Sequence, residues 1–185
     1  MTKYKIAMLV GSTRTGSINQ KLARAIETTA PDSLQFTPVT MEDMPWYNGD
    51  LESNRPDSVN AFTDAIRQCD AVCMVTPEYN RSIPGVLKNA IDWGSKPPAE
   101  NIWKDKVIAM TGTSPGGIGT AIGQQHLRQI LAIQHAIVMP GETYITFKSP
   151  DMIDDAGHVA DDSVREFIAA FGERLNKLVA LMASA

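Results

Sequence analysis

A chain of 185 residues with 43% hydrophobic content is sized for one domain, residues 1–185, with a real core. Its formal net charge of -4 and pI near 5.3 exclude the basic footprint of a nucleic-acid binder, and no apolar run reaches the length of a membrane span. The N-terminus MTKYKIAML lacks a long apolar region and a small-residue cleavage site, so a cytoplasmic protein with no membrane partner is expected.

The predicted elements alternate. Residues 4–10 are apolar and strand-like, and residues 17–30 carry Ile18, Leu22, Ala25 and Ile26 at helical spacing. A second strand is expected over 33–39, then a loop over 40–54 with Pro45, Asn48 and Gly49. A helix opens at Pro56, where proline suits the first turn, and buries Val59, Phe62 and Ile66. Residues 70–76, DAVCMVT, are nearly all apolar, as a central parallel strand covered on both faces should be. A short helix follows over 84–93, another strand over 106–111, and a glycine-rich loop over 112–119 that enters a helix running to about 131. A fifth strand is expected over 136–139, then a loop with Pro150 and several aspartates. The last helix starts near Asp161, capped by Asp162 or Ser163. Its apolar stripe is Val164, Phe167, Ile168, Phe171, Leu175, Leu178, Val179 and Met182. Cys69 and Cys73 fit neither a zinc cluster nor a disulfide framework, so buried free thiols and no metal are expected.

Five strands alternating with five helices imply an α/β fold: a parallel sheet wrapped on both faces, in strand order 2-1-3-4-5. Ligands of such sheets bind beyond the carboxyl ends of the strands, at the switch point. The loops 11–18, 77–83 and 112–118 then line one crevice.

In the first loop, GSTRTGSIN, the backbone amides and the helix N-terminus suit an anion. Ser12, Thr13, Thr15 and Ser17 add hydroxyls, Arg14 adds a forked charge, and Asn19 adds an amide donor. The loop has neither the P-loop lysine nor the glycine spacing of a dinucleotide fingerprint, which suits a terminal monophosphate. In the second loop, Pro77 and Pro84 stiffen both ends. The amides of Glu78, Tyr79 and Asn80 are expected to be free for a ligand. In the third loop, Gly112-Thr113-Ser114-Pro115-Gly116 matches the G-x-S-x-G of serine hydrolases, and Asp151, Asp154, Asp155 and His158 follow in that order. The residue after the nucleophile must supply an oxyanion-hole N–H, and here it is Pro115, which has none. A glycine loop letting a flat ligand approach the backbone explains the stretch better. His126 and His135 suit packing, a helix face or a subunit interface. Trp46 and Tyr47 either cover the crevice or serve a core or interface.

The GSTRTGSIN loop resembles the GSxRxxSxN phosphate loop of the NADPH-dependent FMN reductase family, and PEYNRSIPGVLKNAIDW resembles that family's second signature. The resemblance, which takes in HLRQIL and runs to about residue 140, is strongest to the chromate and quinone reductase branch. It implies a flavodoxin-like three-layer sandwich. It implies that Ser12, Arg14, Ser17, Ile18 and Asn19 hold the FMN phosphate. Pro77, Glu78, Tyr79 and Asn80 would contact the isoalloxazine ring, mainly through backbone, and Thr113, Ser114 and Gly116 would border its other side. Arg81 stands where relatives often carry tyrosine or another aromatic, and it would favour anionic acceptors or the phosphates of NADPH. Arg128 would serve the subunit interface of a homodimer or homotetramer.

On this reading the cofactor carries the chemistry, so no catalytic side chain is expected. NADPH or NADH reduces the flavin at N5, and a quinone, azo compound, chromate or free flavin takes the electrons in a ping-pong cycle. The rival reading is a flavodoxin-type electron carrier without NADPH turnover. Such carriers are strongly acidic around the flavin, whereas Arg14 and Arg81 flank this site.

Overall fold

In the computed structural model, which describes residues 2–184, the run YKIAMLV forms β1 (Tyr4–Val10), with Ile6, Ala7, Met8 and Leu9 buried. Successive strand residues point to opposite faces, so an apolar run without alternation requires cover on both sides. It has that cover. Ile6 and Met8 join one hydrophobic cluster, and Ala7 and Leu9 join the other. The main sheet adds β2 (Leu34–Pro38), β3 (Ala71–Val75), β4 (Val107–Ser114) and β5 (Ile137–Val138), all parallel, in the order β2-β1-β3-β4-β5. Helices α1 (Ile18–Thr29) and α5 (Asp162–Ala183) pack on one face. Helices α2 (Asp57–Arg67), α3 (Gly85–Gly94) and α4 (Ala121–Ile133) pack on the other. This is the three-layer, flavodoxin-like arrangement and strand order expected.

Two elements differ from expectation. β4 runs to Ser114, three residues past the strand read from the sequence, because a sixth strand, β6 (Tyr144–Thr146), pairs with its end. The sequence pattern places 140–150 in a loop. Pro140 and Gly141, the latter at φ 84, break the edge strand after β5. The three-residue β6 is too short to show a period. It is fastened by hydroxyls: Thr111 Oγ1 donates to the Thr143 carbonyl and Thr113 Oγ1 to the Ile145 carbonyl, both at 2.8 Å. In α5, the cap is Asp161, one residue earlier than expected. Its extended backbone (φ -99, ψ 126) aims Oδ1 at the Val164 amide, 3.1 Å away. The buried stripe is narrower than the apolar pattern: Ile168, Phe171, Leu175 and Val179 are buried, while Phe167 and Met182 are exposed. No helix among the described residues is long and apolar enough to cross a membrane.

The mouth of the sheet is tight between β3 and β4. A Cβ on Gly112 would sit 2.0 Å from the Thr76 carbonyl oxygen, a backbone atom that cannot swing away. Gly112→Ala is expected to cost about 3 kcal/mol or more, read as a lowered midpoint of urea unfolding. Both thiols are buried as expected, and burial pushes the Cys73 thiol far above its ordinary range. At pH 8 Cys73 should react with a thiol reagent only after denaturant is added. Prompt labelling of the folded protein at Cys73 would contradict its packing.

Candidate functional site

The first loop begins where the ladder ends. The Gly11 amide donates to the Val75 carbonyl at 2.8 Å, and the chain then leaves the sheet. A Cβ on Gly11 would lie 3.1 Å from Thr76 Oγ1 and 3.5 Å from the rings of Pro77 and Pro84, so this loop rests directly on the second. Ser17 caps α1: its Oγ accepts from the amides of Asn19 (3.2 Å) and Gln20 (3.4 Å). Its own proton remains available to donate. Among the described residues, the amides from Ser12 to Ile18 and the Ser12 hydroxyl meet no acceptor within the chain. Arg14 is exposed, and its Nη2 makes only a 3.3 Å bond to the Gly16 carbonyl. A run of unpaired amides, two hydroxyl protons and a guanidinium at a helix N-terminus is a donor set suited to a doubly charged phosphate. The residues present therefore fit the phosphate end of FMN.

Asn19 does not belong to that set. Its side chain is buried and used: Nδ2 donates to the Thr113 carbonyl and Oδ1 accepts from the Thr113 amide, both at 3.0 Å. Thr113 is likewise turned inward, since its hydroxyl is committed to Ile145. The two residues expected to touch opposite ends of the flavin hold each other instead.

The second loop is a two-residue hairpin. Tyr79 and Ser82 exchange both backbone bonds at 2.9 Å, and Asn80 (φ 51) and Arg81 (φ 66) both take positive φ, as a type I′ turn requires. The Tyr79 amide, expected to be free, is thus committed to the turn. The amides of Glu78, Asn80 and Arg81 make no bond within the chain and stay available. The Glu78 carboxylate turns away from the crevice. Its Oε2 accepts from the Gly123 amide at the start of α4 (2.8 Å), where the helix dipole favours an anion, and its Oε1 takes Arg81 Nη1 at 3.2 Å. One arm of Arg81 is thereby tethered, and the rest of the guanidinium is exposed. His126 supports the same turn, its Nδ1 lying 3.1 Å from Ser82 Oγ. Tyr79 is 51% exposed and offers an open ring face above the hairpin.

In the third loop, Ser114 Oγ accepts from the Gly116 amide at 3.0 Å. A Cβ on Gly117 would meet nothing within 4 Å, and one on Gly116 would meet only Ser114 Oγ at 3.3 Å, so the backbone here is open to close approach. No histidine among the described residues bonds to Ser114, and His158 Nδ1 is paired with Asp154 at 3.0 Å. The base that a serine nucleophile needs is absent from its side.

The sequence reading missed the work of Asn89 and Trp93 in the KNAIDW stretch. Asn89 Nδ2 and Trp93 Nε1 both donate to the Pro45 carbonyl (3.0 and 2.8 Å), and Asn89 Oδ1 accepts from the Tyr47 amide at 2.7 Å. Tyr47 then packs edge-on against Trp93, centroids 5.1 Å apart, and its hydroxyl bonds to Glu52, which raises its pKa. Trp46 is left 73% exposed on the rim of a 380 Å³ hollow that also reaches Thr13 in the first loop. A pattern of N, W and P in separate segments carries no local signal for such a clamp. Arg128 ties α4 to the edge of the sheet through the carbonyls of Met139 (3.2 Å) and Gly141 (2.9 Å), so its bonds fall within the chain rather than being held free for a second subunit. Removing the clamp by Asn89→Ala should cost about 1–3 kcal/mol, because the Tyr47 amide loses its acceptor. Urea unfolding checks the cost, and faster amide exchange at Tyr47 checks its location.

Comparison with known proteins follows the same lines. Residues 4–149 match the model of the family described as NADPH-dependent FMN reductase. A quinone reductase of Pseudomonas putida is 41% identical over 181 residues, covering 96% of each chain. A 2-hydroxy-1,4-benzoquinone reductase of a Burkholderia species is 39% identical over 170 residues, 92% of this chain and 93% of that one. The solved flavoenzyme NAD(P)H:(acceptor) oxidoreductase of Paracoccus denitrificans superposes with a TM-score of 0.91 at 38% identity, over 96% of this chain and 97% of that one.

Proposed function

Because the chain belongs to the NADPH-dependent FMN reductase family, whose cofactor is FMN and whose electron donor is NAD(P)H, we propose that it is a quinone reductase working by a ping-pong cycle. The observation that carries the cofactor assignment is the run of unpaired amides from Ser12 to Ile18 beside Arg14. When bound, FMN takes electrons from NAD(P)H and passes them to the acceptor. Ser12, Arg14 and Ser17, with the Ile18 amide, hold the phosphate. Pro77, Glu78, Tyr79 and Asn80 flank the ring through backbone and the open Tyr79 face. Ser114 and Gly116 form the opposite border, where glycines admit the ring close to the chain. The quinone acceptor is supported by the names of the two relatives; azo compounds, chromate and free flavin are the alternatives to run in the same assay. Arg81, exposed at the hairpin tip, biases the site toward anionic acceptors or the phosphates of NADPH. The homodimer or homotetramer of this reading rests on the family resemblance, since the exposed Trp46, Ile133 and Leu181 lie on separate elements.

Two measurements test this. Initial rates of NADPH oxidation at several concentrations of a soluble quinone should give parallel double-reciprocal lines; lines that intersect would rule out the ping-pong order, and no turnover would rule out the reductase. Arg14→Ala should weaken FMN binding by about tenfold to a hundredfold, as loss of a charged hydrogen bond implies. It should leave riboflavin, which lacks the phosphate, nearly unaffected. Unchanged FMN affinity in this variant would remove the phosphate assignment.

A further inference from the structure

Thr113 sits at a break in the sheet. Thr111 is the last residue of β4 to receive a bond from β3's side, from the Thr76 amide at 2.9 Å. The next amide of that chain due to face β4 is that of Glu78, and it makes no bond within the chain, because the backbone has left the sheet at Pro77 and entered the hairpin. Alternate residues of a strand direct their amide and carbonyl to the same edge. Thr113, two residues beyond Thr111, therefore faces the edge that β3 has vacated. Gly112 and Ser114 face the other edge, toward β6, where Ser114's carbonyl accepts from the Phe147 amide at 2.8 Å. The Asn19 side-chain amide has the shape and polarity of a peptide group, and it fills the missing place on Thr113 in both senses, donor and acceptor.

Asn19 lies in the first turn of α1, two residues after the cap, and Thr113 lies one residue before the loop Ser114-Pro115-Gly116-Gly117. The pair is buried, with Asn19 2% and Thr113 0% exposed, so neither bond competes with water. It is a rigid link between the loop with the phosphate donors and the loop with the open glycines. We infer that Asn19 is a positioning residue, which sets the ring-side loop through Thr113 and leaves the flavin phosphate to other groups. This rests on the FMN reading of the site. It replaces only the role of Asn19 within it.

The two roles separate by ligand. A phosphate contact acts on FMN and not on riboflavin. A residue that positions the ring loop acts on both, because both carry the isoalloxazine. Full-length wild-type, Asn19→Asp and Asn19→Ala proteins, stripped of flavin, would be titrated with FMN and with riboflavin, and the midpoint potential of FMN-loaded protein would be measured alongside. Asn19→Asp keeps the acceptor for the Thr113 amide but sets a carboxylate against the Thr113 carbonyl, so it distorts the link without emptying the site. We expect either variant to weaken both flavins by about the same factor, roughly tenfold, as loss of a buried bonded pair implies. The FMN-to-riboflavin ratio should stay that of wild type, and the potential should shift. A variant that loses affinity for FMN alone would overturn the positioning role and restore Asn19 as a phosphate ligand. Unchanged affinities and potential would overturn both. Should Asn19→Ala not fold, Asn19→Asp decides by the same ratio. Wild-type protein that binds neither flavin would bring down the FMN reading itself, and the positioning role that rests on it falls with it.

Discussion

The carboxyl end of this sheet is shaped by the point at which β3 leaves the ladder. After the Thr76 amide, the next one due to face β4 is that of Glu78, and it makes no bond within the chain because the backbone has turned into the hairpin. The sheet opens there while β4 continues to Ser114, so backbone groups are exposed at the middle of the molecule. Such groups cannot stay unpaired when buried without a penalty of about 1–3 kcal/mol each. The protein satisfies the deepest of them with Asn19 and the outer edge with β6, and leaves the shallow ones facing outward. The candidate site is made of those that remain.

The three loops are held from beneath by side chains rather than by one another's backbones. Asn19 joins the first loop to the third, Glu78 joins the second to the start of α4, and Asn89 with Trp93 fixes the loop after β2 against α3. Gly11, Gly112 and Gly123 let these pieces approach to distances that a Cβ would obstruct. Each tie is polar, mostly buried and paired at both ends, which gives fixed geometry. A flat ligand entering such a frame meets donors already aimed, and little ordering is left to oppose its binding.

Much of this was legible in the sequence. The strand order and the buried helix faces follow from periodicity and proline placement, and the density of donors in GSTRTGSIN follows from residue chemistry. What was not legible has a common cause. Residue type says that Asn19 can donate and accept, but not that its amide points into the sheet. The same holds for Thr113, for the Glu78 carboxylate and for the Tyr79 amide, which the hairpin claims once Asn80 and Arg81 take positive φ. β6 was hidden for another reason. Three residues behind a Pro-Gly break have no period to read, and only the unmatched edge of β4 demands them.

The charges at the site follow from the same ties. A chain of net charge -4 offers an anionic cofactor few cations, and the two arginines near the loops are treated differently. Arg14 is bonded only to a carbonyl two residues away, so its charge stays available at the first loop. Arg81 is partly neutralised by Glu78, whose second oxygen is fixed on the amide of Gly123. The Glu78 side chain is 8% exposed and that of Arg81 67%, so the pair joins a buried carboxylate to a guanidinium that is still mostly in water. The two cations at the loops are thus held unequally: Arg14 by one carbonyl of its own loop, and Arg81 by a carboxylate that the start of α4 also holds.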